Sequence, residues 1–243
     1  MKSSKKALIV CALAGECDQY TLSDYDLSIA VDAGAVWFRA HNYTPDFAVG
    51  DFDSIDADTF AWLEASNTHI KRVPCDKDYS DLELALSLCE EQQVQSATIV
   101  GALGERIDHQ LCVLGALLRN SIPKLTLQSS SQALKLLRAG ESITLKPARD
   151  RSDKASLESA GGITISNASS DTSGDTSSDD TGNSATFSVI SPVAARVSIT
   201  GARWELDRAD LTPLSSRGLS NGRRPDCDTT VTVHSGLVFV VTL

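Results

Sequence analysis

The stretch that most restricts the fold is Phe47-Ala48-Val49 followed by Gly50-Asp51-Phe52-Asp53-Ser54. The short apolar run after the Pro45-Asp46 turn reads as a buried strand that ends in an acidic loop. In open α/β sheets, ligands bind outside the carboxyl ends of the strands. Asp51 and Asp53 lie two residues apart just past such an end, so they can converge on one cation. A hard cation such as Mg²⁺ takes oxygen ligands, commonly one or two carboxylates plus substrate phosphates. Taken alone, the hexapeptide suits turn residues and helix-cap carboxylates equally well.

The segments around it share the same plan. Ala7–Ala12 reads as a buried parallel strand followed by a turn at Gly15, and Leu27–Val31 as a second strand. The second ends in Asp32-Ala33-Gly34-Ala35, where a helix begins. An acid there can meet a ribose hydroxyl or a metal, and the helix dipole alone also favours it. Trp37 and Phe38 are expected in the core. Asp56 opens a second helix that runs to about Ala65, and His69–Val73 is a further strand with His69 on the surface.

Ser80 with Glu83 three residues later is a capping box. It fixes Asp81 at the first helical position with Asp78 just before it, and Leu82, Ala85, Leu86 and Cys89 give the apolar stripe. The bunched acids either compensate the dipole or ligate the same cation as Asp51 and Asp53. Lys77 would then offer its charge to a phosphate. Ala97–Val100 is another strand, leading into Gly101-Ala102-Leu103-Gly104-Glu105-Arg106-Ile107-Asp108-His109. Gly101 and Gly104 allow backbone N–H groups at the next helix start to cradle a phosphate. Arg106 at a helix N-terminus opposes the dipole, so local stability does not account for it, whereas an anionic ligand does. Leu111, Leu114, Gly115 and Leu118 are expected as the buried stripe of that helix.

After Pro123 the pattern changes to short alternating runs: Lys124–Gln128, Ala133–Leu137, Ser142–Lys146, Thr186–Ile190, Arg196–Thr200 and Thr229–Val233. The expected architecture is an α/β domain with a mostly parallel, Rossmann-like sheet over 1–121, then an all-β sandwich- or barrel-like domain over 122–243. A Ser/Asp/Thr/Gly-rich insertion at about 149–184 interrupts the second. Its composition cannot bury enough apolar surface to offset ordering entropy, so it is expected to be disordered. Trp204 is read as a core strand residue and Ser215–Asn221 as a loop.

A formal net charge of −10 argues against non-specific binding to nucleic acid or to an anionic membrane. A nucleotide remains compatible, because a metal supplies positive charge locally. The six cysteines form no CxxC pair. Cys11, Cys89 and Cys112 sit in apolar surroundings, so reduced thiols in a cytoplasmic protein are the simplest reading. The run Ala7–Ala14 is short for a signal-peptide core, and acidic Glu16 and Asp18 follow it, so it reads as a strand.

Five features occur in one order: Asp32-Ala-Gly-Ala, Gly50-Asp-Phe-Asp-Ser, Lys77-Asp-x-Ser-Asp81, Gly101-Ala-Leu-Gly-x-Arg-x-Asp-His109, and Trp204 followed by Ser216-x-x-x-Ser-Asn221. Together they resemble the thiamine pyrophosphokinase (thiamine diphosphokinase) family over nearly the whole chain outside the insertion. The resemblance implies transfer of a diphosphoryl group from Mg-ATP to thiamine, giving thiamine diphosphate and AMP. It implies a homodimer with thiamine held between the α/β domain of one subunit and the β domain of the other. Asp51, Asp53 and Asp81 match the acids that hold Mg²⁺ and the ATP phosphates, and with Arg106 they form the implied catalytic set. Asp32 matches an acid in the same pocket, and Arg106, Asp108 and His109 match the nucleotide and phosphate side, to which Asp32, Lys77, Asp78, Gly101 and Gly104 are assigned as well. Trp204 matches the aromatic that stacks on thiamine, with Ser216, Ser220 and Asn221 beside the vitamin. Two positions depart from the pattern: Ala33, where a second glycine is more frequent, and Gly222, where an acid is common.

Two rivals remain in view. Asp51-Phe-Asp53 superficially matches the Asp-x-Asp of haloacid-dehalogenase-like phosphatases, though that motif belongs on a first strand. A thiamine or nucleotide sensor without turnover would use the same scaffold.

Overall fold

The computed structural model describes residues 4–14, 20–73, 78–147 and 186–243. Lys77, Cys17, Cys75 and the insertion expected at 149–184 lie outside the described residues. The chain divides into two compact units, Met1–Leu136 and Leu137–Leu243.

The first unit is built from β1 (Lys6–Val10), β2 (Leu27–Val31), α1 (Gly34–Ala40), β3 (Phe47–Gly50), α2 (Ala57–Ala65), β4 (His69–Arg72), α3 (Asp81–Glu91), β5 (Ser96–Val100), α4 (Ile107–Arg119) and β6 (Lys124–Gln128). The opening stretch of β7 (Ala133–Arg138) closes it. Strand order is β7-β6-β5-β1-β2-β3-β4. The pairings from β6 to β4 are parallel and β7 runs antiparallel to β6, so the sheet is mixed. Parallel strands covered by helices must be apolar throughout, and β1 and β2 obey this with Leu8, Ile9, Val10, Ile29 and Ala30 all fully buried. The division expected after residue 121 would leave β6 in the second domain. Its parallel ladder with β5, Ser96↔Lys124 through Val100↔Gln128, ties it to the first.

One consequence of the parallel register fixes the site. Val31 pairs with Val49, so the residues just past β2 and β3 come side by side on one edge of the sheet.

The second unit is antiparallel. β8 (Ser142–Leu145), β10 (Ala195–Thr200), β11 (Leu206–Leu211) and β13 (Thr229–Ser235) form one sheet in the order β11-β10-β13-β8. β9 (Thr186–Ile190), β12 (Asn221–Gly222) and β14 (Leu237–Thr242) form a second ladder centred on β9. Phe187, Val189, Val197, Ile199, Val231, Val233, Val238 and Val240, drawn from both ladders, share one core. β11 and β14 were not among the strands read from the sequence.

Three expectations are corrected. The buried face of α4 is Val113, Ala116 and Leu117, while Leu111 is 62% exposed. Cys112 is exposed on the same helix, although Cys11 and Cys89 are buried as read. Trp204 lies in a bend before β11, not in a strand, and is 54% exposed. In each case the local apolar pattern was real, but a helix or loop exposes apolar residues when no neighbouring element covers them.

Candidate active site

Asp32 follows β2, and Asp51 and Asp53 follow β3, at the carboxyl edge of the parallel strands. The backbone is bent to bring them together. Asp32 has φ +47° and Phe52 has φ +62°, conformations that cost a non-glycine residue about 1–3 kcal/mol unless the surroundings enforce them. They are enforced here: the Asp32 N–H donates to the Val49 carbonyl at 2.9 Å, and Phe52 is buried against Phe60, ring centroids 5.5 Å apart. With Phe52 committed to the core, its two neighbours project into the loop. The Asp53 N–H donates to Asp51 Oδ1 at 3.1 Å, and Ser54 Oγ donates to Asp53 Oδ1 at 2.8 Å.

One carboxylate oxygen from each of Asp32, Asp51 and Asp53 lies within 4.8 Å of the others. Asp32 Oδ1 is buried and has no hydrogen-bond partner. Burial pushes the Asp32 carboxyl above its ordinary range, and the carboxylates of Asp51 and Asp81 push the same way, against a smaller opposing effect from Ser54 and the Ala33 backbone. A buried acceptor without a donor costs free energy that a ligand can recover. Mg²⁺ takes oxygen ligands at about 2.0–2.1 Å. The donor set is all oxygen and triply acidic, which fits a hard cation.

Asp81 opens α3 behind the capping box: Ser80 Oγ accepts from the Glu83 N–H at 3.3 Å, and the Ser80 N–H donates to Glu83 Oε2 at 2.9 Å. It stands outside the three-acid group but close enough to act on it. Its charge raises the proton affinity of Asp32 and, after burial itself, of Cys11, whose thiol is pushed up to about 12. Asp78 is exposed in the bend before α3.

The last loop of this edge follows β5. Gly101 has φ +70°, and a Cβ there would lie 2.3 Å from the Ala14 nitrogen, so only glycine lets the loops after β5 and β1 approach this closely. The Leu13 N–H donates to the Gly101 carbonyl at 3.0 Å. Gly104 accepts from the Gln110 side chain through its carbonyl. Arg106 holds the N-cap position of α4, and His109 is exposed in its first turn. The guanidinium makes a bidentate pair with Asp108, Nε to Oδ1 at 3.2 Å and Nη2 to Oδ2 at 2.6 Å. That pair draws the Asp108 carboxyl down to about 2. The sequence left Arg106 without a local role, and the structure supplies one: Asp108, itself favoured by the dipole, carries the arginine.

In the second unit, Trp204, Asn221, Ser216 and Ser220 come from one region of chain around β12. Ser216 starts a 3-10 turn over Ser216–Gly218 and is exposed. Ser220 has φ +54° and its N–H donates to Ser188 Oγ at 3.0 Å. The Arg203 guanidinium lies 4.7 Å from the centroid of the Trp204 ring. Asn221, by contrast, is buried.

The sequence left Asp32 open to a ribose hydroxyl or a metal, and the structure groups it with Asp51 and Asp53. The pairing of β2 with β3 in register is what sets Asp32 next to Gly50-Asp51.

Residues 17–128 match the family model described as "Thiamin pyrophosphokinase, catalytic domain". A thiamine pyrophosphokinase of Bacillus subtilis (strain 168) is 35% identical over 99 residues. That alignment covers 41% of this chain and 44% of the relative, so it spans less than half the length of the protein it matches. Among solved structures, a thiamin pyrophosphokinase family protein from Enterococcus faecalis superposes with TM-score 0.71 at 18% identity, covering 98% of each chain. The thiamine pyrophosphokinase of Bacillus subtilis gives TM-score 0.70 at 22% identity, again over 98% of each. At these identities the structural likeness speaks for the fold, a mixed sheet with helices followed by an antiparallel β region. The resemblance carried by the ordered motifs therefore holds, and the matched relatives are enzymes.

Proposed function

We propose that this chain, whose residues 17–128 match the thiamin pyrophosphokinase catalytic-domain model, transfers the diphosphoryl group of ATP to the hydroxyethyl oxygen of thiamine, releasing AMP. The observation that carries the reading is the convergence of Asp32, Asp51 and Asp53 at the carboxyl edge of the parallel strands. These three would hold Mg²⁺, which when bound offsets the negative charge of the phosphates. Asp81, whose charge already acts on Asp32, would add a fourth carboxylate on the phosphate side. Arg106 would exchange part of its pair with Asp108 for a phosphate oxygen. Lys77, Asp78, Gly101, Gly104 and His109 complete the nucleotide side of the proposal. Phosphoryl-type transfer asks a protein mainly for positioning and charge neutralisation, and this set offers both.

Thiamine carries a positive charge, and Trp204 offers an exposed aromatic face in an acidic protein. Cation–π attraction there is worth about 0.5–2 kcal/mol. Ser216 and Ser220 are the neighbouring polar groups. A homodimer belongs to the same reading. It is supported by the apolar residues Ile107 and Leu111, which α4 leaves 72% and 62% exposed. A cytoplasmic setting is supported by the free thiols Cys11 and Cys89. Among the described residues, no helix is long and apolar enough to cross a membrane.

The test mixes the protein with ATP, Mg²⁺ and thiamine and follows AMP and thiamine diphosphate. Formation of both products, lost in Asp53→Asn and Asp81→Asn with folding intact, supports the reading. Thiamine binding with no AMP would replace it with a sensor. An aspartyl-phosphate on Asp51 would replace it with a phosphatase.

A further inference from the structure

Asn221 was read as a thiamine contact, but its amide is already committed. The residue is 3% exposed. Oδ1 accepts from the Trp204 N–H at 3.1 Å and from the Gly222 N–H at 2.9 Å, and Nδ2 donates to the Trp204 carbonyl at 2.7 Å. Both acceptor sites and one donor of the amide are thus used on backbone. Both main-chain polar groups of Trp204 are held by one side chain.

The rest of the bend is fixed in the same way. The Arg203 N–H donates to the Gly222 carbonyl at 2.8 Å, Ala202 bridges Arg223, and the Gly201 N–H donates to Glu205 Oε1 at 2.8 Å. Asn221 itself is anchored in β12, opposite Phe187 of β9, whose ring is fully buried. A large aromatic ring, 54% exposed with the Arg203 guanidinium 4.7 Å from its centroid, stands on a residue whose N–H and carbonyl are both held. Exposed tryptophan on a loose bend would lose conformational freedom on binding, and rigid support removes that cost before the ligand arrives.

We propose that Asn221 is a positioning residue: it sets the Trp204 platform from behind and touches no substrate. This rests on the reading of Trp204 as the thiamine platform. The backbone-locking part does not depend on that reading.

The experiment is a double-mutant cycle on the full chain with Asn221→Asp and Trp204→Ala. Asp keeps the shape and the acceptors but sets a carboxylate oxygen against the Trp204 carbonyl. Asn221→Asp alone should raise KM for thiamine about tenfold while kcat and KM for ATP move less than about twofold, the pattern of lost ground-state binding. In the Trp204→Ala background the same change should add almost nothing, because two residues acting as one unit are not additive. If the two KM effects multiply, Asn221 contacts substrate itself and the proposal is overturned, as it is if Asn221→Asp leaves KM unchanged. A second readout needs no turnover: acrylamide quenching of the Trp204 component of fluorescence, with Trp204→Phe as the blank. Quenching should rise in Asn221→Asp, and unchanged quenching overturns the locking role. If the wild type forms no AMP, the diphosphokinase reading fails while the quenching result still decides the role of Asn221. Asn221→Ser is carried through the same measurements should Asn221→Asp not fold.

Discussion

Gly50 stands directly against Asp32: a Cβ placed on Gly50 would lie 3.1 Å from Asp32 Cα and 3.2 Å from its Cβ. The neighbour in the way is backbone, which cannot rotate aside, and Gly50 also has φ +156°. Gly50→Ala should therefore cost about 1–3 kcal/mol of stability through strain. It should also push Asp32 away from Asp51 and Asp53. Titration calorimetry with Mg²⁺ should show affinity reduced about tenfold or more, the usual scale when ligand orientation is lost. An alanine variant with wild-type melting and Mg²⁺ affinity would show that the close approach is not needed.

Asp32→Asn should separate stability from function. The folded-state carboxyl pKa is raised above 3.8, chiefly by burial. Above the unfolded value the native state then binds more protons than the unfolded chain, so stability falls as pH rises from the unfolded pKa through the folded one. The charged carboxylate is a burden to the metal-free protein at neutral pH. Asparagine removes it, and melting in EDTA near neutral pH should rise by on the order of 2–4 °C. The gain should shrink toward acid pH, where both side chains are neutral. With Mg²⁺ the order should reverse, since the wild type alone gains binding energy. Equal melting of the two proteins in EDTA at every pH would contradict the assignment.

The start of α3 gives a third expectation. Glu83 closes the capping box with Ser80 and also pairs with Arg119 of α4, so one carboxylate joins two helices. Burial raises its pKa, but the backbone and side-chain bonds from Ser80 and the Arg119 guanidinium outweigh burial, and the net shift is downward. Its contribution is therefore present above the unfolded pKa and lost as pH falls through the folded one. Ser80→Ala should lower stability by about 1 kcal/mol. Because Asp81 is the first residue of that helix, fraying should also raise KM for ATP. A urea series across pH, run beside the kinetics, checks both. Stability lost without any change in KM would detach Asp81 from the site.

What the sequence could disclose follows from the range of each interaction. The capping box, the Asp56 helix start and the apolar strands β1, β2 and β5 are local patterns, and the structure has them where they were read. Asp32 joins Asp51 and Asp53 only through the pairing of β2 with β3, a relation between segments that no local pattern carries. β11 reads as Leu-Asp-Arg-Ala-Asp-Leu, too charged to announce a strand. It is held by its ladder to β10 and by the Arg196–Asp210 pair, Nε to Oδ1 at 2.7 Å. The Trp204 bend depends on a hydrogen-bonding side chain seventeen residues away.

The face of α4 tests the homodimer. Helical spacing puts Ile107, Leu111, Leu114 and Leu118 on one side, and the sequence read Leu111, Leu114 and Leu118 as a buried stripe. The structure buries Val113, Ala116 and Leu117 instead and leaves Ile107 and Leu111 largely in solvent. An exposed leucine inside a subunit contributes little to its fold, so Leu111→Glu should change monomer stability by no more than about 0.5 kcal/mol. A second copy covering that residue would meet a buried, unpaired charge, which costs several times more. Analytical ultracentrifugation should then show the dimer weakened at least about tenfold for Leu111→Glu. Leu111→Met, which keeps volume and polarity, should leave it intact. A Leu111→Glu protein that dimerises as the wild type does would place the partner elsewhere.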